Sequence, residues 1–346
     1  MNGKTVLVTG GAGFIGGTFV RHLYAAYPEC RIVVLDALTY AGSIENLPVD
    51  ICAESEGRLV FWYGNVTNAE LVDTLVAQAD AVVHFAAETH VTRSIYDNHQ
   101  FFQTDIMGTQ VVTNAVLKHR ASVERFVHVS TSEVYGTARA SRMDEAHPLM
   151  PMSPYASAKA GADRLVYSYC ATYDLPAVIV RPFNNYGPAQ HLEKAVPRFI
   201  TSCILGEPIR LHGDGSAARD YVHAGDTCRA LDLILRAPIE RVRGEVFNVA
   251  AGEDRSMLSI AEDVVRLMGA DRSLITFVGD RPGQVFRHTG DTAKIRAALG
   301  WSPRVGWEEG LRQTIDWYRG HRPWWEKQLW MRTVPIITAR GTRELH

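Results

Sequence analysis

The sequence predicts a doubly wound parallel α/β sheet followed by a smaller mixed region. Short Val-rich runs alternate with longer amphipathic stretches through the first half of the chain. A glycine-rich turn joins the first of these runs to the first amphipathic stretch. After about Gly187 the alternation gives way to Pro188, Pro197, Pro208 and the Gly213-Asp214-Gly215 punctuation.

The expected strands are Thr5–Thr9, Arg31–Asp36, Leu59–Tyr63, Ala81–Phe85, Phe126–Ser130 and Ala177–Arg181. Each is short, apolar and bounded by polar residues or Gly, as a strand buried on both faces must be. Helices are expected at Phe14–Tyr27, Ala69–Gln78, Ser94–His119 and Pro154–Tyr173. A strand-like Glu245–Val249, within a stretch of about 222–250, is expected to return to the first sheet. The chain then divides into a nucleotide-binding Rossmann-type unit at 1–187, a mainly substrate-binding unit at 188–330 and a tail at 331–346. Trp324, Trp325 and Trp330 lie near that tail and are expected to pack on the body or on a partner.

The 346 residues, 46% hydrophobic and 21% charged, suffice for a sizeable core and exclude disordered and fibrous classes. Lys+Arg 36 against Asp+Glu 38 leaves a net charge of −2, with no basic field for nucleic acid or anionic lipid. Five scattered cysteines without a Cys-x-x-Cys argue against a disulfide framework or a structural zinc site. No His-x-x-x-His spacing suggests a metal, and His84 reads as packed or hydrogen-bonded in the sheet. With no membrane span or leader legible, a cytoplasmic location is expected.

Gly10, Gly13 and Gly16 fall in Thr9–Gly16, between the first strand and the first helix. Glycine there lets backbone turn tightly and approach a pyrophosphate, whose charge the helix N–H groups then meet. Asp36 follows 20 residues after Gly16, at the end of the second strand. A carboxylate in that place accepts from the adenosine ribose hydroxyls and repels a 2′-phosphate, which favours NAD over NADP.

Tyr155 and Lys159 stand at i, i+4 on one helical face. An ammonium beside a phenol lowers its pKa and makes it a usable base. Ser130-Thr131-Ser132-Glu133 comes at the carboxyl end of the fifth strand, the edge that faces the ligand crevice in open α/β sheets. A hydroxyl there can hold a substrate oxygen, and Glu133 can move a proton.

From these blocks the chain resembles an extended short-chain dehydrogenase/reductase of the nucleotide-sugar group, most of all the dTDP-glucose 4,6-dehydratase family. The resemblance rests on Thr9–Gly16, Leu35–Gly42, His84–Ser94, Val129–Gly136, Ser153–Lys159, Asn184–Pro188, Glu193-Lys194, Gly213–Asp220 and Asp280–Gly283. It implies that Tyr155, assisted by Lys159 and Thr131, deprotonates the sugar 4-hydroxyl while NAD takes the C4 hydride. Glu133 then removes C5–H, water leaves from C6, and the hydride returns there. By the same resemblance Phe14 and Ile15 meet the pyrophosphate, Asp36 and Thr39 the adenosine, and Asn65 and Val66 the adenine. Phe85, Ala86 and Ala87 run along the cofactor, with Thr104 and Asn185 completing its pocket. The sugar nucleotide is expected at Thr89, Thr131, Asn184, Glu193, Lys194, Arg210, His212, Arg219, Asn248 and Arg281. Arg219 suits a diphosphate through its planar fork, the plainer alternative being an ion pair with Asp220.

The chain departs from the family in several places. Ser132 stands where the glucose dehydratases carry the aspartic acid that protonates the departing C6 oxygen, and a serine hydroxyl is too weak an acid for that. Thr-Ser-Glu resembles both the GDP-mannose dehydratases and the UDP-glucuronate decarboxylases. Decarboxylation of an NDP-uronic acid, C4 epimerisation and a non-enzymatic NAD sensor are therefore the alternatives. Arg210-Leu211-His212 replaces a Pro-x-Tyr, Gln284 a histidine, Asn65 an aspartate and Ala37 a lysine, so the nucleotide base stays open. The helices at 94–119 and 154–173 show apolar stripes that in related enzymes pair across a two-fold axis, so a homodimer through a four-helix bundle is expected.

Overall fold

The computed structural model describes residues 1–51, 57–279 and 285–332, together with the backbone at 335–337 and 343–345. Its first layer is a seven-stranded parallel sheet. β1 (Thr5–Thr9), β2 (Arg31–Asp36), β3 (Leu59–Tyr63), β4 (Ala81–His84), β5 (Arg125–Val129) and β6 (Ala177–Pro182) follow the expected runs to within a residue. Valines at 6, 8, 34, 83, 127, 129, 178 and 180 pack under one face, and Leu7, Val33, Val82, Phe126 and Ile179 under the other. Covering both faces is what allows continuous apolar strands.

After β7 (Asn184–Tyr186), β8 (Ile209–His212) and β9 (Ala218–His223), the chain comes back. β10 (Val246–Val249) pairs with β6, giving the order β10-β6-β5-β4-β1-β2-β3. The helix before it, Ala224–Arg236, returns as well: the Tyr27 hydroxyl donates to Asp232 at 2.6 Å and so ties it to the end of the first helix. The remaining lobe holds β11 (Asp254–Ser256), β12 (Ile275–Val278) and β13 (Arg287–His288), with helices Ala195–Leu205, Met257–Met268 and Trp307–Gly320 around their own core. Trp325 is buried in that core and its indole donates to Tyr318 O at 2.7 Å, whereas Trp330 is exposed.

One expected helix is not continuous. Residues 94–119 divide into Val91–Tyr96, a short turn at His99–Phe101, a π-helical stretch at Phe102–Gly108 and the helix Thr109–Lys118. Asp97 takes extended backbone and its side chain accepts from His99 N at 3.1 Å. A local side-chain bond of this kind competes with the helical one and ends the first segment. The apolar period across the break hid it.

Candidate active site

The carboxyl ends of the sheet strands open onto a cavity of about 330 Å³. At its floor Gly10 has φ +69°, and a Cβ there would lie 2.6 Å from Ala86 N. Any side chain would strain the backbone and fill the space where β1 and β4 approach. The helix Phe14–Ala26 begins at Gly13, which has no side chain to cap the first N–H groups. Those donors and the helix dipole are left to meet an anion. Asp36 ends β2 and fixes the turn by accepting from Ala12 N at 2.9 Å and Leu38 N at 2.8 Å. Burial pushes its carboxyl up, and these two bonds pull it down. Each of its oxygens keeps a lone pair for a ribose hydroxyl.

Gly10, Gly13, Phe14, Ile15, Gly16, Asp36, Thr39, Asn65, Val66, Phe85, Ala86, Ala87, Thr104 and Asn185 all line this cavity. The glycine cradle, uncapped helix start and strand-end carboxylate fit NAD.

The reactive side chains stand on the same cavity. Thr131 caps the 3₁₀ turn Ser132–Tyr135, its hydroxyl accepting from Glu133 N at 3.2 Å. The helix Pro154–Tyr173 starts on a Ser153 cap with Pro154 in its first turn, and Tyr155 and Lys159 point inward from it. The Thr131 and Thr89 hydroxyls lie beside the Tyr155 phenol and pull its pKa down. Lys159 Nζ donates to Val129 O at 2.8 Å. The expected lowering of the phenol by Lys159 is not found. Burial raises Tyr155, the Asp105 charge adds to it, and the two threonine bonds offset only part. Burial likewise lowers Lys159, against the carboxylates of Asp105 and Asp163.

A second cavity of about 230 Å³ adjoins the first and is lined by Arg210, His212 and Arg219. Glu133, Asn184, Glu193 and Lys194 line both. Lys194 reaches across to Thr89 O at 2.7 Å. Arg219 Nη1 donates to Ala218 O, while Asp220 accepts from the backbone N–H groups of Ala251, Gly252 and Gly290. The alternative ion pair between Arg219 and Asp220 is thus not made.

Two expected substrate contacts have other work. Asn248 is fully buried and lines neither cavity; its amide donates to Met143 O at 3.0 Å and accepts from the Tyr135 hydroxyl at 2.8 Å. Its place on edge strand β10 turns the side chain under the loop instead of into the cleft. Glu193 is a hub whose side chain has no exposed surface. It accepts from the Tyr40 hydroxyl at 2.9 Å and pairs with Arg93, His90, His191 and Lys194. Arg281 lies outside the described residues.

Sequence patterns gave no sign of two buried groups. Asp105, in the π-helical stretch, is 1% exposed; one oxygen accepts from Glu88 N at 2.8 Å and the other has no partner among the described residues. His288 lies behind Glu133. Neither carries a local motif. His84 bonds to Thr9 Oγ1 at 2.6 Å and Thr109 Oγ1 at 3.0 Å, a packing role as expected.

The sequence model of the GDP-mannose 4,6 dehydratase family matches residues 7–314. The dTDP-glucose 4,6-dehydratase of Streptomyces niveus is 44% identical, over 93% of this chain and 94% of its own length. The low-salt glycan biosynthesis protein Agl12 of Haloferax volcanii is 45% identical, over 91% and 98%. DesIV, a dTDP-glucose 4,6-dehydratase of Streptomyces venezuelae solved with NAD bound, superposes with a TM-score of 0.88 at 41% identity, covering 94% of this chain and 99% of that one. A match of this extent, on a chain that keeps the Thr131, Glu133, Tyr155 and Lys159 set in one cavity, means that the chain belongs to the nucleotide-sugar 4,6-dehydratase family.

Proposed function

We propose that the protein catalyses NAD-dependent 4,6-dehydration of a nucleoside-diphosphate hexose to the 4-keto-6-deoxy sugar nucleotide. The observation that carries this is Glu133 standing on the wall shared by both cavities, with Thr131, Tyr155 and Lys159 on the cofactor side. Bound in the first cavity, NAD supplies the acceptor for the hydride that leaves C4 and later arrives at C6.

The chain's own residues do the proton chemistry. Tyr155, with the Thr131 and Thr89 hydroxyls beside it, takes the proton of the 4-hydroxyl, and Lys159 stands one turn along the same helix. The 4-ketone acidifies C5–H. Glu133 removes that proton and the electron pair passes into the carbonyl. The Ser132 hydroxyl is too weak an acid for this step, so the proton on Glu133 goes to the C6 oxygen as the C6–O bond breaks. Lys194, Arg219 and Arg210 supply the cations that a diphosphate requires.

Reactions with a panel of NDP-hexoses and NDP-uronic acids deuterated at C4, followed by mass spectrometry, test the reading. The relatives' names make dTDP-glucose the first substrate to try. Loss of water with deuterium at C6 supports it; loss of carbon dioxide indicates a decarboxylase, and an epimer of unchanged mass an epimerase. Tyr155→Phe is expected to slow C4 oxidation by about a hundredfold or more. Glu133→Gln should leave C4 oxidation measurable and stop elimination.

The same reading includes a cytoplasmic homodimer. Its support is the four described free thiols, Cys30, Cys170, Cys203 and Cys228, and the exposed Phe102, Met107 and Tyr167 on the paired helical segments. No helix among the described residues is long and apolar enough to cross a membrane.

A further inference from the structure

A dehydratase with no acid at position 132 must manage one proton twice on one carboxyl, and the surroundings of Glu133 bear on how. His288 ends β13, in parallel register with Arg219 of β9, and has no exposed surface. Its Nε2 lies 2.5 Å from the Gly136 carbonyl oxygen. A carbonyl only accepts, so Nε2 carries the hydrogen. Nδ1 is buried, has no hydrogen-bond partner among the described residues and stands 3.9 Å from Glu133 Oε1.

Burial lowers the imidazole from its ordinary value. Glu133 on the 3₁₀ turn and the Gly136 bond push it up, while Arg219 on β9 and His147 on the preceding loop push it down. Phe183 packs against the ring with centroids 5.9 Å apart. The neutral tautomer therefore turns a lone pair toward a carboxylate oxygen. Two acceptors face each other until a proton comes between them.

We infer that His288 is the positioning residue for the proton that Glu133 carries. Nδ1 accepts a hydrogen bond from the acid form of Glu133 and favours that form while the C5 proton waits to leave with the C6 oxygen. In the first step C5–H breaks, a Glu133 O–H forms and the pair enters the 4-carbonyl as an enolate. In the second the enolate pair forms C5=C6, the C6–O bond breaks, and the proton on Glu133 goes to the departing oxygen as water. One proton is taken and the same one returned, so the elimination needs no second acid; Glu133 is then re-protonated from solvent and gives C5 its new proton as the hydride returns to C6.

This rests on the dehydratase reading, and the test separates the two. Asn places its amide near Nδ1 of the histidine, and Gln places its own near Nε2. His288→Asn and His288→Gln holoenzymes are given NDP-4-keto-6-deoxyglucose in D2O, and C5 exchange is followed by NMR. C4 oxidation of NDP-glucose and thermal stability are measured beside it.

His288→Gln, which keeps the Gly136 bond and loses the acceptor at Nδ1, is expected to lose about tenfold in C5 exchange, the worth of one hydrogen bond. Its C4 oxidation should be little changed. His288→Asn should recover most of the exchange. Rescue by Gln and not by Asn would make His288 an anchor for Gly136 and overturn the inference. So would equal losses in oxidation and exchange, or wild-type exchange in both variants. Failure of the wild type to exchange C5 or to dehydrate any NDP-hexose would instead sink the dehydratase reading.

Discussion

Asn248 spends its amide on the protein itself. Its Oδ1 receives the Tyr135 hydroxyl, its Nδ2 donates to Met143 O, and its backbone N–H donates to Glu145 Oε1 at 2.7 Å. Tyr135 also meets Arg181 Nη1 at 2.9 Å, so the asparagine joins a buried network beneath the catalytic turn. Asn248→Ala leaves the buried Tyr135 hydroxyl without an acceptor, while Met143 O keeps its bond from Asp291 N at 2.9 Å, and should cost about 1–3 kcal/mol in chemical denaturation. The KM for the sugar nucleotide should stay within about twofold, because no part of the side chain reaches either cavity. A raised KM with unchanged stability would return Asn248 to the substrate. Gly10, Asp36, Tyr155 and Lys159 were legible in the sequence because their roles depend on neighbours one turn or one strand away. Asp105 and His288 carry no local motif: His288 and Glu133 are 155 residues apart, and no spacing rule reports that.

At the scale of the element, the helix Pro154–Tyr173 does two jobs along one face. Tyr155 and Lys159 serve the cleft, and Asp163, one turn further, forms a bidentate pair with Arg181 of β6 at 2.8 Å for both bonds. Both side chains are essentially without exposed surface. Burial pushes the Asp163 carboxyl up from 3.8, but the bonds and charge of Arg181 and Arg164 outweigh it and hold the carboxyl at about 2.

Asp163→Asn leaves a guanidinium buried without its carboxylate and should cost about 3–5 kcal/mol. The contribution is complete above the unfolded value of 3.8 and is lost as the pH falls toward 2, because the unfolded chain takes up the proton first. The stability gap between wild type and Asp163→Asn should therefore narrow from about pH 4 to pH 2. A gap independent of pH there would show that the pair is not what the substitution removes. The range of this helix was readable from the alternation of strands and amphipathic stretches, and its start is fixed by the Ser153 cap and Pro154. The break at Asp97 was not, since the apolar period resumes across it, and a short Asx turn leaves no mark on periodicity.

At the scale of the whole molecule, the two paired segments that wall the cofactor cavity also carry solvent-facing apolar side chains. Met107 is 51% exposed and Phe102 39% on the π-helical stretch, and Tyr167 is 47% exposed on the helix of Tyr155. From the same stretch Thr104 lines the cavity and Asp105 is buried beside Lys159. A π-helical stretch has looser backbone geometry than the helix it interrupts, so packing from outside would steady it. A partner's helices laid over Met107, Phe102 and Tyr167 would brace the cofactor wall and cover the patch in one step. The wild type should sediment as a dimer at micromolar concentration. Met107→Glu puts a charge at the centre of that contact and should weaken the dimer at least about tenfold. If bracing is part of the contact's role, the monomeric variant should also lose NAD faster on gel filtration, although Met107 does not line the cavity. A wild-type monomer would refute the dimer, and a Met107→Glu dimer would place the interface elsewhere. A monomeric variant that keeps its NAD would leave the dimer standing and remove its claim on the active site.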